Sequence, residues 1–296
     1  MIASRRQALA IMAGPVVAAA TREPARAASE VFRDIPKAMW VWKTSLDELD
    51  ELRAFATRWG IRRILLALNP ASLDRLGRGD TAALKRLRAD GLAVSALAGD
   101  PSWAERPDLP RTIARIIDLT GRSDVLAALD LDVEPHALKA WRQGDDTQRA
   151  RLMEGLLQHV DMIRARAPKL ALGAAVNPIY ARLTLAGGSN VLETLAKRLD
   201  SVQLMAYRPS AQATVAWASP AVAVLERAGT PWWSGVLVHA GDENNTSYFG
   251  QPASHVIADM VSLHRAYSDP ARYRAYRGLV FEDYAGLREL LRNHEE

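Results

Sequence analysis

Eight successive pairings of a short apolar run with a longer amphipathic stretch, fitted into about 260 residues without a linker between them, predict a single closed (β/α)8 TIM barrel. Two further observations agree with that fold class. Connections from helix to strand are short, whereas segments 177–190, 207–218 and 239–253, after the expected fifth, sixth and seventh strands, are long and irregular. Long loops on one side are how such a barrel builds an active face at the C-terminal ends of its strands. No short repeat other than the β/α alternation is evident, and no linker divides the chain.

The expected strands, in order, are Ala38–Trp42, Arg63–Leu68, Ala93–Ala98, Val125–Glu134, Ala171–Val176, Ser201–Ala206, Gly235–Val238 and Gly278–Phe281. Each is dominated by apolar side chains, as strands buried on both faces must be. Helices are expected near 45–59, 80–89, 109–120, 147–166, 191–198, 219–228, 254–267 and 284–293, where apolar residues recur at three- and four-residue spacing. The first helix opens on Ser45 with Glu48 three residues on, a capping box, and closes at Gly60. Pro135 ends the fourth strand.

Residues 1–27 differ in kind from the rest. Ser4-Arg5-Arg6 precedes an apolar run from Ala8 to Ala20, and Ala25-Arg26-Ala27 supplies a small-residue cleavage pattern. This reads as an export signal, and its paired arginines resemble a twin-arginine signal, so a periplasmic or extracellular location is expected. Residues 28–37 form a lead-in and 38–296 the barrel domain. No stretch approaches the roughly 20 apolar residues that a membrane-spanning helix needs.

Composition narrows the function. The chain of 296 residues is 49% apolar and 24% charged, which suffices for a full core. Cysteine is absent, which excludes disulfides, thiolate catalysis and cysteine metal sites. The formal charge of +4 is mostly a property of the leader, where Arg5, Arg6, Arg22 and Arg26 against Glu23 account for +3 and leave +1 for the remainder. So weak a charge argues against a nucleic-acid partner.

The most informative stretch is Leu129-Asp130-Leu131-Asp132-Val133-Glu134-Pro135. Successive side chains of a strand point to opposite faces, so Asp130, Asp132 and Glu134 share one face and the apolar residues the other. Neighbouring carboxylates in a poorly solvated place cannot all ionise, so at least one proton is retained near neutral pH. A retained proton is what a general acid requires, and a carboxyl pair is what glycoside cleavage uses. Asp130, the deepest of the three, is expected to stay buried and hydrogen-bonded and to help set the charge of Asp132.

Asp130-x-Asp132-x-Glu134 on the fourth strand, together with Gln203-Leu-Met205-Ala-Tyr207 ending the sixth, resembles glycoside hydrolase family 18, the chitinase-like barrels. The resemblance implies that Glu134 protonates the glycosidic oxygen, that Asp132 orients the substrate's acetamido group, and that Tyr207 helps to hold a cyclised intermediate. The chain departs from that pattern at three points. Ala127 stands where the motif's leading aspartate would fall, Arg208 follows Tyr207 where an aspartate is usual, and the eighth strand offers Phe281-Glu282-Asp283-Tyr284 in place of a tryptophan.

Aromatic side chains sit where sugar rings stack: Trp40 and Trp42 on the first strand, Trp103 after the third, Trp141 after the fourth and Trp217 in the loop after the sixth. Core packing is the plainer reading of each. Asn177, Gln203, Met205, Arg208, His239 and Glu282 complete the expected carbohydrate-binding set, while His136 and His239 also read as hydrogen-bonded structural residues. Same-face acids along one strand are poorly arranged to surround an ion, so neither metal nor cofactor is expected. A monomer acting on a polysaccharide or oligosaccharide is the leading expectation. Two alternatives stand beside it: a retaining glycosidase in which Glu243, after the seventh strand, is the nucleophile, and a carbohydrate-binding barrel without turnover.

Overall fold

The computed structural model describes residues 28–241 and 245–292. The export signal expected over 1–27 and the alternative nucleophile Glu243 lie outside the described residues. Eight parallel strands close into one barrel, each hydrogen-bonded to its neighbours in sequence and the last to the first. They are β1 Lys37–Val41, β2 Ile61–Ala67, β3 Ala93–Ala98, β4 Ala128–Leu131, β5 Ala171–Val176, β6 Ser201–Leu204, β7 Trp232–Leu237 and β8 Tyr276–Glu282. The predicted (β/α)8 fold is the one found, and all eight expected strands occur in it.

Boundaries differ from expectation where short-range signals compete. The fourth strand, expected to run to Glu134, leaves the ladder at Leu131, and Asp132 to Glu134 continue past it as irregular backbone. A helix over Pro70–Gly77 adds to the expected set; its signals are local, with Pro70 in the first turn and the Asn69 side chain accepting from the Ser72 amide at 2.8 Å. The helix expected at 219–228 begins at Ala211, because Ser210 caps it through the Ala213 amide at 3.3 Å and Pro220 is accommodated inside it. Trp217 is therefore helical rather than part of a loop. Among the described residues no helix is long and apolar enough to cross a membrane.

The strands bury two faces. Their outer side chains and the helices form the main core, which includes Met39, Val41, Ile64, Leu66, Leu129 and Leu131. Their inner side chains form a smaller apolar cluster inside the barrel: Ala38, Trp40, Leu65, Leu97, Ala175, Met205 and Val280. Trp40, 1% exposed, is the bulkiest member of this interior plug.

Below the plug the interior becomes polar. Asp130 is fully buried, and both of its oxygens accept from Arg63 Nη2, at 2.7 and 2.8 Å, while Ser201 Oγ lies 3.3 Å from the same guanidinium. Gly173, opposite Asp130 on β5, is required by this arrangement, since a Cβ there would lie 1.9 Å from Asp130 Oδ1. At the same end, Lys37 is buried beneath the lead-in helix of residues 28–34 and donates to the carbonyls of Phe32, Arg33 and Ile35. Those carbonyls belong to a helix C-terminus, where a cation is favourable.

A buried ion pair costs desolvation that its mutual attraction must offset, and removing one partner strands the other. Arg63→Met is accordingly expected to destabilise the protein by about 3–5 kcal/mol. The double variant Arg63→Met/Asp130→Asn should recover a large part of that loss. Urea unfolding of the three proteins measures both, and equal loss in the single and double variants would show that the pair is not coupled.

Candidate active site

Leu131 is the last ladder residue of β4, and the chain beyond it is steered by backbone contact with β3. The Asp132 amide donates to the Ala98 carbonyl at 3.0 Å, and Gly99 leaves space for the Asp132 main chain, because a Cβ on Gly99 would lie 1.9 Å from the Asp132 carbonyl oxygen. Pro135 then starts a single 3-10 turn over Pro135–Ala137, with Glu134 at its N-cap. Asp132 and Glu134 are thereby set at the C-terminal mouth of the barrel, both partly open to solvent.

The three acids of the motif do not act as one column. Asp130 lies a level deeper, bound to Arg63. Asp132 is held well above the ordinary carboxylate range first by burial, then by the charges of Glu134 and Glu282. The neighbours that oppose its ionisation are therefore Glu134 and Glu282, and the expected influence of Asp130 is not among them.

Glu282 ends β8 and reaches the mouth from the opposite side of the sheet closure. Its Oε1 accepts from Trp42 Nε1 at 2.6 Å and lies 3.8 Å from His239 Nε2. Burial pushes the Glu282 carboxyl up, against the opposing pull of His239 and Trp42. His239 is raised to about 9 chiefly by Glu282, with its Nδ1 2.8 Å from the Ala240 carbonyl, so it is cationic at neutral pH. Tyr207 is raised well above the phenol range by burial and then by the charges of Glu282, Asp132 and Glu134.

Glu134 has its own support. Its Oε2 lies 3.1 Å from His136 Nε2, and His136 Nδ1 lies 2.8 Å from the Tyr180 hydroxyl. Tyr180 is fully buried, on the 3-10 segment Pro178–Arg182 after β5, and is raised by burial and by Glu134. Trp141 closes the back of this group, its ring centroid 5.8 Å from that of Tyr180 and 6.4 Å from that of His136.

The remaining candidates divide by position. Trp42 lines the mouth through its bond to Glu282, and a hollow of about 240 Å³ opens beside it, lined also by Lys43, Thr44 and Asp283. Met205, 8% exposed, packs with Trp40 in the interior cluster. Gln203 is fully buried beneath Met205, bonded to Ser201 at 3.4 Å with Oε1 unpartnered, and so is out of reach of a ligand at the mouth. Trp40 and Trp141, expected as stacking platforms, are instead enclosed, because the interior plug covers the one and His136 and Tyr180 cover the other. Trp103 is half-buried against the main core. Asn177 commits its side-chain oxygen to the Ile179 amide at 3.0 Å. Arg208 donates to the Tyr207 carbonyl at 2.6 Å and lies 4.5 Å from the ring centre of Trp217, whose ring centre is also 5.2 Å from Arg182.

Two members lie beyond what the sequence reading singles out. Tyr180 carries a local signal, the turn Asn177-Pro178 that ends β5 and starts the 3-10 segment, but its contact with His136 crosses 44 residues. Arg63 reads as the polar start of a strand; only barrel closure brings it to Asp130. Phe249, in the segment after β7, is the large aromatic left most exposed among the described residues, at 56%. Among the described residues no group of three or more histidine, aspartate or glutamate side chains could hold a metal ion.

No family model matches the chain, and no curated protein matches its sequence. Solved structures do match. A candidate chitinase A from Streptomyces coelicolor aligns at 11% identity over 88% of this chain and 96% of its own, with a TM-score of 0.50. A candidate deoxyribose-phosphate aldolase from Toxoplasma gondii aligns at 12% identity over 92% of this chain and 96% of its own, with a TM-score of 0.54. A class V chitinase from Nicotiana tobaccum aligns at 19% identity over 69% of this chain and 67% of its own, with a TM-score of 0.41. A glycosidase-named and an aldolase-named protein thus share this architecture alike, and what the chain is shown to possess is the TIM-barrel fold.

Proposed function

We propose that the protein is a glycoside hydrolase acting on a polysaccharide or oligosaccharide, with Glu134 as proton donor. One observation carries the reading: Asp132 and Glu134 lie just past the end of β4 and Glu282 ends β8 with its carboxyl on Trp42, while burial, reinforced by the charges of Glu134 and Glu282, holds the Asp132 carboxyl well above the ordinary range. Two carboxyls whose surroundings separate their charge states are the general equipment for glycoside cleavage. The resemblance of the Asp130-to-Glu134 and Gln203-to-Tyr207 segments to glycoside hydrolase family 18 points the same way. The leader over 1–27 suits an enzyme that meets its polymer outside the cytoplasm.

In this scheme Glu134 gives a proton to the glycosidic oxygen. The bond from that oxygen to the anomeric carbon breaks, and the leaving sugar departs with the proton. The substrate's own acetamido oxygen stabilises the electron-poor carbon, Asp132 orients that group, and Tyr207 holds the cyclised intermediate. Glu134, now a carboxylate, takes a proton from the water that opens the intermediate. His239 and Trp42 keep Glu282 fixed beside the site.

Glu134→Gln is expected to leave the fold intact and to lower turnover at least ~100-fold on the glycans that the wild type cleaves. The assay is reducing-end release from a panel of acetylated and non-acetylated β-linked glycans, with circular dichroism as the folding control. Full activity in this variant would end the reading. Tyr207→Phe should also lose activity strongly while Glu243→Gln keeps most of it; the reverse result would transfer the nucleophile's role to Glu243.

Asp132→Asn separates stability from activity. The folded state holds this carboxyl above its ordinary value of 3.8, so between the two values the folded protein binds a proton that the unfolded chain has released. Stability attributable to Asp132 thus falls as pH rises through that window, and the full penalty stands above it. The asparagine variant should therefore be more stable than wild type at the upper end of the window, lose that gain below about pH 4, and turn over far more slowly. Thermal melts across pH beside the activity assay check all three outcomes.

A further inference from the structure

We propose that His136, in one fixed tautomer imposed by Tyr180, is a positioning residue that clamps Oε2 of Glu134 and leaves Oε1 as the oxygen offered to the substrate. The role deepens the glycosidase reading but rests on a hydrogen-bond inventory that is independent of it.

The Tyr180 phenol is 0% exposed. Its hydroxyl is 2.8 Å from His136 Nδ1. A phenol kept protonated by burial has one hydrogen to give, and the ring nitrogen is the acceptor within reach. Nδ1 is consequently unprotonated, which puts the imidazole hydrogen on Nε2. Nε2 in turn faces Glu134 Oε2 at 3.1 Å, so the bond runs from N–H to carboxyl oxygen. With Oε2 of Glu134 as acceptor, a hydrogen on Nδ1 instead would set the Nε2 and Oε2 lone pairs against each other at 3.1 Å.

Packing makes the clamp rigid. Trp141 is 8% exposed and meets both rings edge-on or tilted, and the Arg149 guanidinium lies 6.0 Å from its ring centre. His136 belongs to the turn that follows Glu134 directly, so the ring and the carboxyl share one short, proline-started segment. A carboxyl engaged through Oε2 keeps one rotamer, and its free oxygen points the same way in every molecule. Small errors in the placement of a proton donor cost large factors in rate. A histidine two residues from the acid therefore does more than fill space.

The test combines a spectroscopic readout with kinetics. Protein labelled with 15N at histidine is examined by long-range 1H–15N correlation; the chain has six histidines, and His136→Gln identifies the signal of His136. The expected signal is the neutral form protonated at Nε2, with Nδ1 as acceptor. Tyr180→Phe should convert it to a mixture of tautomers and lower kcat about 10-fold to 100-fold with KM little changed. Glu134→Gln should shift the Nε2 proton while leaving Nδ1 hydrogen-bonded.

A wild-type His136 protonated at Nδ1, or a Tyr180→Phe protein with unaltered tautomer, would overturn the proposal. So would an unaltered tautomer accompanied by a fall in kcat, because Tyr180 would then act only through packing. If the wild type cleaves none of the glycans, the hydrolase reading fails, while the 15N spectra still decide the clamp. The two failures are therefore distinguishable.

Discussion

Inside the closed barrel Asp130 is shut off from bulk solvent, and its carboxyl rests on the guanidinium of Arg63, which reaches it from β2. This contact is the condition under which an acidic side chain can face inward on β4. Burying a lone carboxylate costs more than the marginal stability of a folded domain allows, whereas a pair with good geometry and a further hydroxyl nearby is tolerated. Gly173 and Ser201 are shaped to the pair, one by having no side chain and the other by placing its hydroxyl 3.3 Å from the guanidinium. With the lower acid neutralised, the barrel keeps an apolar plug above it, built around Trp40, Leu65, Leu97 and Met205.

Above the plug the electrostatics change character. Burial and the charges of Glu134 and Glu282 oppose ionisation of Asp132, and His239 stands 3.8 Å from Glu282. This differs from the paired Asp130 and Arg63 beneath. Such an arrangement at the mouth opposes stability. Positioning follows the same division: the ladder ends at Leu131, and Asp132 and Glu134 lie on the irregular residues just past it, fixed by β3 on one side and by the proline-started turn on the other.

Much of this is legible in the amino-acid order. Eight apolar runs separated by amphipathic stretches specify eight β/α units, because parallel strands bury both faces and each needs a helix to cover its outer side. Asp132, Glu134, Tyr207, Trp42, His239 and Glu282 are all readable as candidates, since each stands at or just beyond the C-terminal end of a strand, where the barrel's architecture assembles sites. The helix 211–228 is underestimated from sequence because Pro220 looks like a boundary when the cap at Ser210 is weighed too lightly.

Strand periodicity and strand ends are local properties, so the amino-acid order alone brings Asp132, Glu134, Tyr207, Trp42, His239 and Glu282 to strand ends. The partner of each is set by closure of the barrel. Arg63 meets Asp130 across 67 positions, Trp42 meets Glu282 across 240, and Tyr180 meets His136 across 44. Closure of the sheet sets those distances, and a carboxyl's charge depends on what lies within a few ångströms of it rather than on its neighbours in the chain. Three acids spaced evenly along the sequence therefore divide into one bound to Arg63 inside the barrel and two past the end of the ladder at its mouth.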